Sequence, residues 1–342
     1  MGITILDVAR EAGVSKSTVS LVINNSPAIK QETHYKVQQA IQKLGYVPNY
    51  AARDLSSKRT YTLGLIFLTA NPDKLPYAFD AVPETLLYDA SIGIQARLQN
   101  SQYTLLTERF AANRNPGLPE LVTSGRVDGV FLIGGLYDEA FMRRLQETKI
   151  PTVLVGRQHE GIDSVLSDLE MMGYLGGRAL FEKGHRNVLF LSGPAQSSNT
   201  IAKQKGLERA SREHGQGANF KCIHSGHAGL DAYIAIRSAW EHSPRFDAIF
   251  AGSDGIAGGV LRFLHEQKVR VPDDISMISY ERSVITEYIG TPLTVIDPHK
   301  EQMGEEACRA LLNRIARPRT TPVTLKINPE LIDYGSIRDK RP

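Results

Sequence analysis

The chain has 342 residues, 42% of them hydrophobic, with 40 basic against 37 acidic side chains. That length exceeds one compact core and fits two or three domains; no run of about 18 apolar residues is available to span a bilayer, and Met1-Gly2-Ile3 does not open a basic-then-apolar leader. Cys222 and Cys308 are too few for a disulfide framework, so a cytoplasmic protein with reduced thiols and no membrane partner is expected.

The charge is unevenly placed. Residues 1–59 hold eight Lys or Arg against four Asp or Glu, while the remainder holds 32 against 33. A local basic module on a neutral body points to a polyanion as the partner of that module.

Within it, Ile5, Val8, Ala9 and Ala12 share one helical face, Gly13 interrupts, and Ser15-Lys16-Ser17-Thr18 opens a second helix with Val19, Val22 and Ile23 inward. The spacing Ala9-x3-Gly13-x5-Val19 fits a helix-turn-helix. The small Ala9 lets the helices approach, Gly13 takes positive φ in the turn, and Ser15 caps the second helix. Such a helix enters the major groove of double-stranded DNA, its first residues meeting base edges. Lys16 and Ser17 are the expected readers, with Thr18, Ser20 and Asn24 at or beside phosphates. A third helix is expected from Gln31 to Leu44, with Val37, Ala40, Ile41 and Leu44 inward and Gly45 ending it. Pro48 then stops the chain, and Asn49 caps a helix of about two turns carrying Ala51, Ala52 and Leu55 on one side. A helix that short is marginal in water, so it is expected to order against DNA and a second copy. The headpiece is assigned to 1–48 and the hinge to 49–60.

From Tyr61 onward apolar runs alternate with helical segments. Strands are expected at 63–68, 103–106, 127–133, 152–155, 188–191, 248–251 and 275–278. Helices are expected at 84–99, 139–147, 169–182, 203–213 and 255–265. Buried strands alternating with helices imply parallel sheets covered on both faces. A stretch this long (61–335) suggests two doubly wound lobes, with ligand bound at the carboxyl ends of strands between them.

Three stretches carry a specific resemblance. They are Asp7-Val8-Ala9 through Gly13-Val14-Ser15, Thr18-Val19-Ser20-x-Val22-Ile23-Asn24, and Leu44-Gly45-Tyr46-x-Pro48-Asn49-x-x-Ala52-x-x-Leu55. With Thr291-Pro292-Leu293-Thr294 near the end, the chain resembles the LacI/GalR family of bacterial transcription repressors. That resemblance implies an all-α helix-turn-helix headpiece on a periplasmic-binding-protein-like core, through which the chain crosses three times between lobes. It also implies a homodimer on a near-palindromic operator, with paired hinge helices in the minor groove and Leu55 wedged into the central step, a kink whose unstacking cost wider contact offsets. Thr4, Leu21, Tyr46, Asn49 and Ala52 complete the expected DNA-contacting set. Leu21 stands where some relatives carry a base-reading Arg, so a different operator is expected; Asp54 beside the wedge has no account. Lobe one is placed at 61–157 and 293–322, lobe two at 158–290 and 323–335. No leucine heptads follow Ile332, which favours a dimer over a tetramer.

The resemblance also implies a small-molecule effector, carbohydrate-derived, between the lobes. Where relatives read Arg-x-x-Gly this chain reads Lys203-Gln204-Lys205-Gly206, where they read Asn-Asp it reads Ser253-Asp254, and where they read Tyr-Asp-Asp it reads Tyr280-Glu281-Arg282. Lys203 and Glu281 are thus expected to hold adjacent hydroxyls by charge-assisted bonds, with Ser253, Asp254, Arg157 and His227 nearby and Tyr77 and Phe79 stacking on a ring. Lys203, Arg157, His227 and Arg282 together suggest an anionic effector such as a sugar phosphate or sugar acid. A nucleobase or a phosphorylated protein co-effector remains open.

Two enzymatic patterns are weaker. Ala251-Gly252-Ser253-Asp254-Gly255 lacks the glycine two before the serine that a nucleophile elbow needs. Cys222-x-His224-x-x-His227 lacks a nearby fourth ligand for a metal. No catalysis, metal or cofactor is expected.

Overall fold

The computed structural model describes residues 3–23, 29–46, 59–69, 84–99, 101–112, 115–134, 137–215, 218–226, 228–242, 246–288, 290–318 and 321–341. The chain divides into two compact units, 1–60 and 61–342.

In the first unit, α1 (Ile5–Ala12), α2 (Lys16–Ile23) and α3 (Gln31–Leu44) close around Val8, Ala9, Val19, Val22, Val37 and Ala40. The Asp7 carboxylate closes the start of α1 by accepting from the Thr4 N–H at 2.9 Å and the Thr4 hydroxyl at 2.7 Å. Gly13, at φ 67°, ends α1, and the Val14 N–H returns to the Ala9 carbonyl at 3.0 Å. This closure turns the chain sharply enough to lay α2 against α1. Gly45 (φ 62°) ends α3 in the same way, with the Tyr46 N–H on the Ile41 carbonyl. The expected hinge, with Asn49, Ala52 and Leu55, lies outside the described residues.

The described elements of the second unit begin with β1 (Thr62–Leu68), α4 (Glu84–Leu98), β2 (Thr104–Phe110), α5 (Glu120–Thr123), β3 (Gly129–Gly134), α6 (Glu139–Glu147), β4 (Thr152–Val155) and β5 (Asp163–Ser167). They continue with α7 (Leu169–Glu182), β6 (Asn187–Ser192), α8 (Ser198–Glu213), β7 (Asn219–His224), α9 (Gly229–His242), β8 (Ala248–Ala251), α10 (Asp254–Glu266) and β9 (Ser276–Tyr280). Last come α11 (Val284–Tyr288), β10 (Thr294–Asp297), α12 (Lys300–Ala316), β11 (Thr324–Ile327) and β12 (Glu330–Ile332).

Two six-stranded sheets result, ordered β11-β5-β4-β3-β1-β2 and β12-β10-β9-β8-β6-β7. All described pairings are parallel except β10 with β12. The period-2 alternation of each strand supplies both faces. In β1, Leu63, Leu65 and Phe67 pack with Ala90, Ile94, Met303 and Leu311 of α4 and α12, while Ile66 and Leu68 pack with Leu121, Phe141 and Leu145 of α5 and α6. In the second sheet, Leu189 and Leu191 face α9 and α10, and Val188 and Phe190 face α7 and α8. Central strands such as β3 are buried along their whole length, whereas the edge strands β2 and β7 carry polar, exposed positions.

The lobe boundaries differ from those expected. Strand β5 belongs to the first sheet, so lobe one runs on to residue 167; β10 lies in the second sheet, and β11 returns to the first. The tail beyond residue 335 is also part of lobe two: Ser336 and Ile337 are buried, and the Ser336 carbonyl accepts from the Met277 N–H at 3.0 Å. Helix α8 starts at Ser198 rather than 203, because Ser197 to Thr200 are polar and give no periodic apolar signal.

Helices α7 and α8 cross at a pair of glycines. A Cβ at Gly173 would lie 1.9 Å from the Lys203 carbonyl oxygen, and one at Gly206 would lie 1.9 Å from that of Glu170. Backbone therefore meets backbone at this crossing, and the position of Lys203 is set by it.

Candidate functional site

The first site is the outward face of α2. Successive helical residues turn by about 100°, so Lys16, Ser17, Ser20 and Leu21 share one side. Lys16, Ser17 and Leu21 are exposed, while Val19 and Val22 point into the core. The Thr18 N–H donates to the Ser15 Oγ at 3.1 Å, which caps the helix. The Ser17 and Thr18 hydroxyls lie 2.7 Å and 2.9 Å from that same oxygen. Of the expected contacts, Thr4 is occupied with Asp7, Tyr46 packs against the headpiece core, and Asn24 lies outside the described residues.

The second site is a cavity of about 440 Å³ in the core unit, within the usual range for a small-molecule pocket. Its walls gather where strands end: Gly134 of β3, Arg157 after β4, Ser167 of β5, Gly193 after β6, Ser253 after β8, Glu281 after β9 and Pro298 after β10. Three crossings between the lobes, at 168, at 298–299 and at 328–329, run between the two sheets' strand ends. Leu86, Leu169, Met172 and Met303 add apolar wall.

Lys203 and Glu281 both line the cavity. The Lys203 ammonium donates to the Gly252 carbonyl at 3.0 Å and lies 3.9 Å above the centre of the Tyr280 ring. Burial pulls its pKa down to about 8 against the opposing charges of Glu281 and Asp254. Glu281, just after β9, is in a left-handed conformation (φ 72°), and so is His299 (φ 56°) in the second crossing. Such backbone costs about 1 kcal/mol or more in a non-glycine residue, and here it brings Glu281 to Lys300.

Lys300 and Asp89 were not legible as site residues. The Lys300 side chain is only 4% exposed, lines the cavity, and sits 3.0 Å from the Asp89 carboxylate and 3.6 Å from that of Glu281. Burial opposes its charge, but Glu281 and Asp89 outweigh that and hold its pKa above the ordinary lysine value. Asp89 is on α4 of lobe one and Glu281 on lobe two, so this ammonium bridges the lobes. A lysine in the first turn of an amphipathic helix otherwise reads as a solvated charge.

The other expected residues divide. Arg157 lines the cavity, lies over the Tyr137 ring and approaches Ser198 Oγ of the opposite lobe at 3.5 Å. Ser253 also lines it, but its hydroxyl accepts from the Ile256 N–H at 3.2 Å to cap α10, which also argues against a nucleophile there. Asp254 does not line the cavity; it is buried behind the wall, accepting from the Gly255 N–H at 2.7 Å. Arg282 does not line it either and pairs with Glu287 at 3.1 Å. Tyr77, Phe79 and His227 lie outside the described residues. Cys222 Sγ lies 3.8 Å from a His224 ring nitrogen, and among the described residues no three His, Cys, Asp or Glu side chains form a metal-holding group.

Burial first, and then the Glu281 charge, push the Asp254 carboxyl up to about 6 against the pull of Lys300. A carboxyl whose pKa rises on folding, here from 3.8, favours the fold most when protonated. Its contribution is intact below about pH 4 and is lost as pH rises through about 6. Asp254→Asn should therefore raise the melting temperature at about pH 7.5 and give no gain near pH 4; an equal shift at both would assign the effect to something other than the carboxylate charge.

A helix-turn-helix whose second helix leaves a polar face exposed, followed by a two-lobed α/β core with a cleft of small-molecule size, defines a DNA-binding regulator with a ligand-binding core. Residues 4–49 match the family model described as bacterial regulatory proteins, lacI family, and residues 178–337 match a periplasmic binding protein-like domain. The HTH-type transcriptional regulator CelR of Thermobifida fusca is 31% identical over 330 residues, 95% of each chain. The HTH-type transcriptional repressor PurR of Escherichia coli O1:K1 / APEC is 30% identical over 341 residues, covering 98% of this chain and 97% of the relative. A solved complex of transcriptional regulator CelR with cellobiose superposes with a TM-score of 0.70 at 28% identity, covering 98% of this chain and 99% of the other. The chain belongs to the lacI family of bacterial regulatory proteins and is a DNA-binding transcription regulator. These relatives are regulators rather than enzymes, and no described helix is long and apolar enough to cross a membrane.

Proposed function

We propose that the chain is a homodimeric repressor of a near-palindromic operator whose affinity for DNA is set by a neutral, polyhydroxylated sugar in the interlobe cavity. The charge balance of the cavity carries the effector class. Of the cations that suggested an anionic ligand, Lys203 faces the Gly252 carbonyl with Glu281 and Asp254 nearby, Arg282 is turned away to Glu287, and Arg157 lies over the Tyr137 ring within reach of Ser198; Lys300, which also lines the cavity, is matched by Asp89 and Glu281. A lining that offers carboxylate and ammonium side by side, between apolar walls, suits vicinal hydroxyls and C–H faces. The cellobiose held by the CelR complex is of this class.

The test is a thermal-shift screen of the full chain against neutral mono- and disaccharides, sugar phosphates, sugar acids and nucleobases. A ligand at about 100 times its Kd adds roughly 2.7 kcal/mol, a shift of several degrees. Hits among neutral sugars support the proposal; tighter binding of a sugar phosphate, a sugar acid or a nucleobase overturns the neutral-sugar assignment. Coupling to DNA is reciprocal, so a true effector changes operator affinity by the factor by which operator changes effector affinity.

The DNA half has its own test at Leu55. Leu55→Ala should weaken operator binding about tenfold or more at fixed salt, since a wedge supports a few kcal/mol of unstacking, and should leave sugar binding unchanged. Unchanged operator affinity would remove the wedge role.

A further inference from the structure

We propose that Leu21 is a specificity-determining residue that reads the C5-methyl group of a thymine in each operator half-site. The inference rests on the operator-binding reading and adds the chemistry of one base contact.

Four residues face outward from α2, and the structure distinguishes them by reach. Ser17 lies 2.7 Å, oxygen to oxygen, from the helix-capping Ser15 hydroxyl, and its short side chain stays at the helix surface. Ser20 is equally short and only partly exposed. Lys16 and Leu21 alone project far from this face. Lys16 carries a flexible donor suited to a phosphate or to guanine O6 and N7. Leu21 is 42% exposed, although its neighbours Val19 and Val22 are completely buried. It therefore takes no part in the headpiece core, and its apolar surface is left on a face otherwise made of hydroxyls and an ammonium.

Leucine has no donor or acceptor, so it cannot read the hydrogen-bonding pattern of a base edge. The major groove presents one apolar feature, the thymine methyl. Packing Leu21 on that methyl removes both from water. Any other base at the same position puts a polar edge, with its bound water, against the side chain. Lys16 and Leu21 then divide the reading between charge and shape.

The test starts from selection of random duplexes by the full-length protein. Each thymine of the enriched half-site is then replaced by deoxyuridine, which deletes the methyl and nothing else. Burial of one methyl is worth about 0.8 kcal/mol, about fourfold in Kd. One symmetry-related thymine position should therefore cost wild type roughly tenfold or more when both half-sites are substituted, and cost the Leu21→Ala protein less than about twofold. Alanine keeps the helix and touches no core residue; an unchanged melting temperature confirms that the headpiece stays folded. Leu21→Arg should shift selection at that position toward guanine. Enriched half-sites without such a thymine, or a methyl effect of the same size in wild type and Leu21→Ala, overturn the inference while leaving operator binding intact. Failure to enrich any duplex overturns both.

Discussion

Asp163→Ala is expected to cost the core about 3–5 kcal/mol, the range for removing one partner of a buried ion pair. Asp163 is 1% exposed, and its carboxylate accepts from Arg314 Nε at 2.7 Å, from Arg314 Nη2 at 2.6 Å and from the Val323 N–H at 2.6 Å. These groups come from β5, from the end of α12 and from the residue leading into β11. One carboxylate thus ties together pieces of lobe one that lie on either side of the long lobe-two segment running from α7 to β10. Its loss leaves a guanidinium that is 16% exposed without that acceptor, and leaves the entry to an edge strand without its anchor. Urea denaturation of the single variants and of Asp163→Asn with Arg314→Met measures the coupling. The double variant should lose much less than the sum of the singles, because no buried charge is stranded. Additive losses would show that the pair does not act as a unit.

Lys300→Met should have a comparable effect, about 3–5 kcal/mol, by stranding Asp89 and Glu281. The pKa of Lys300 is raised on folding, so its contribution is complete below the ordinary lysine value and is lost only as pH climbs above it. At neutral pH the full effect applies, a fall in core melting temperature of roughly 10 °C. Lys300→Arg retains the charge and should lose less. An equal deficit in Lys300→Arg would indicate lost packing of the lysine stem instead. Because the ammonium contacts carboxylates of both lobes, the same variant should weaken effector binding by more than Asp163→Ala does, which provides a second readout.

Much of this protein follows from local chemistry. The helices at 139–147 and 169–182 and the strands at 152–155 and 248–251 occur where periodicity places them, because each contains its own apolar pattern and its caps are local. The headpiece was legible for the same reason, since the Gly13 turn, the Ser15 cap and the inward Val19 all act within a few residues.

The allocation of strands to lobes was not local. Strand β5 reads as a short, half-polar stretch, Asp163-Ser164-Val165-Leu166-Ser167, and is fixed in lobe one by pairing with β4 on one side and with β11 on the other, where Ser164 meets Thr324, 160 residues later. The cavity divides in the same way. Lys203 and Glu281 could be placed by motif, but only folding through three crossings sets Lys300 between carboxylates of opposite lobes and turns Asp254 behind the wall. Sequence alone determined the helix types, the reading helix and the strand-end location of the site, since these depend on neighbours in the chain. Only the tertiary structure decided which charges meet and cancel, because the Coulomb energy of a buried pair depends on distances set by residues far apart in sequence.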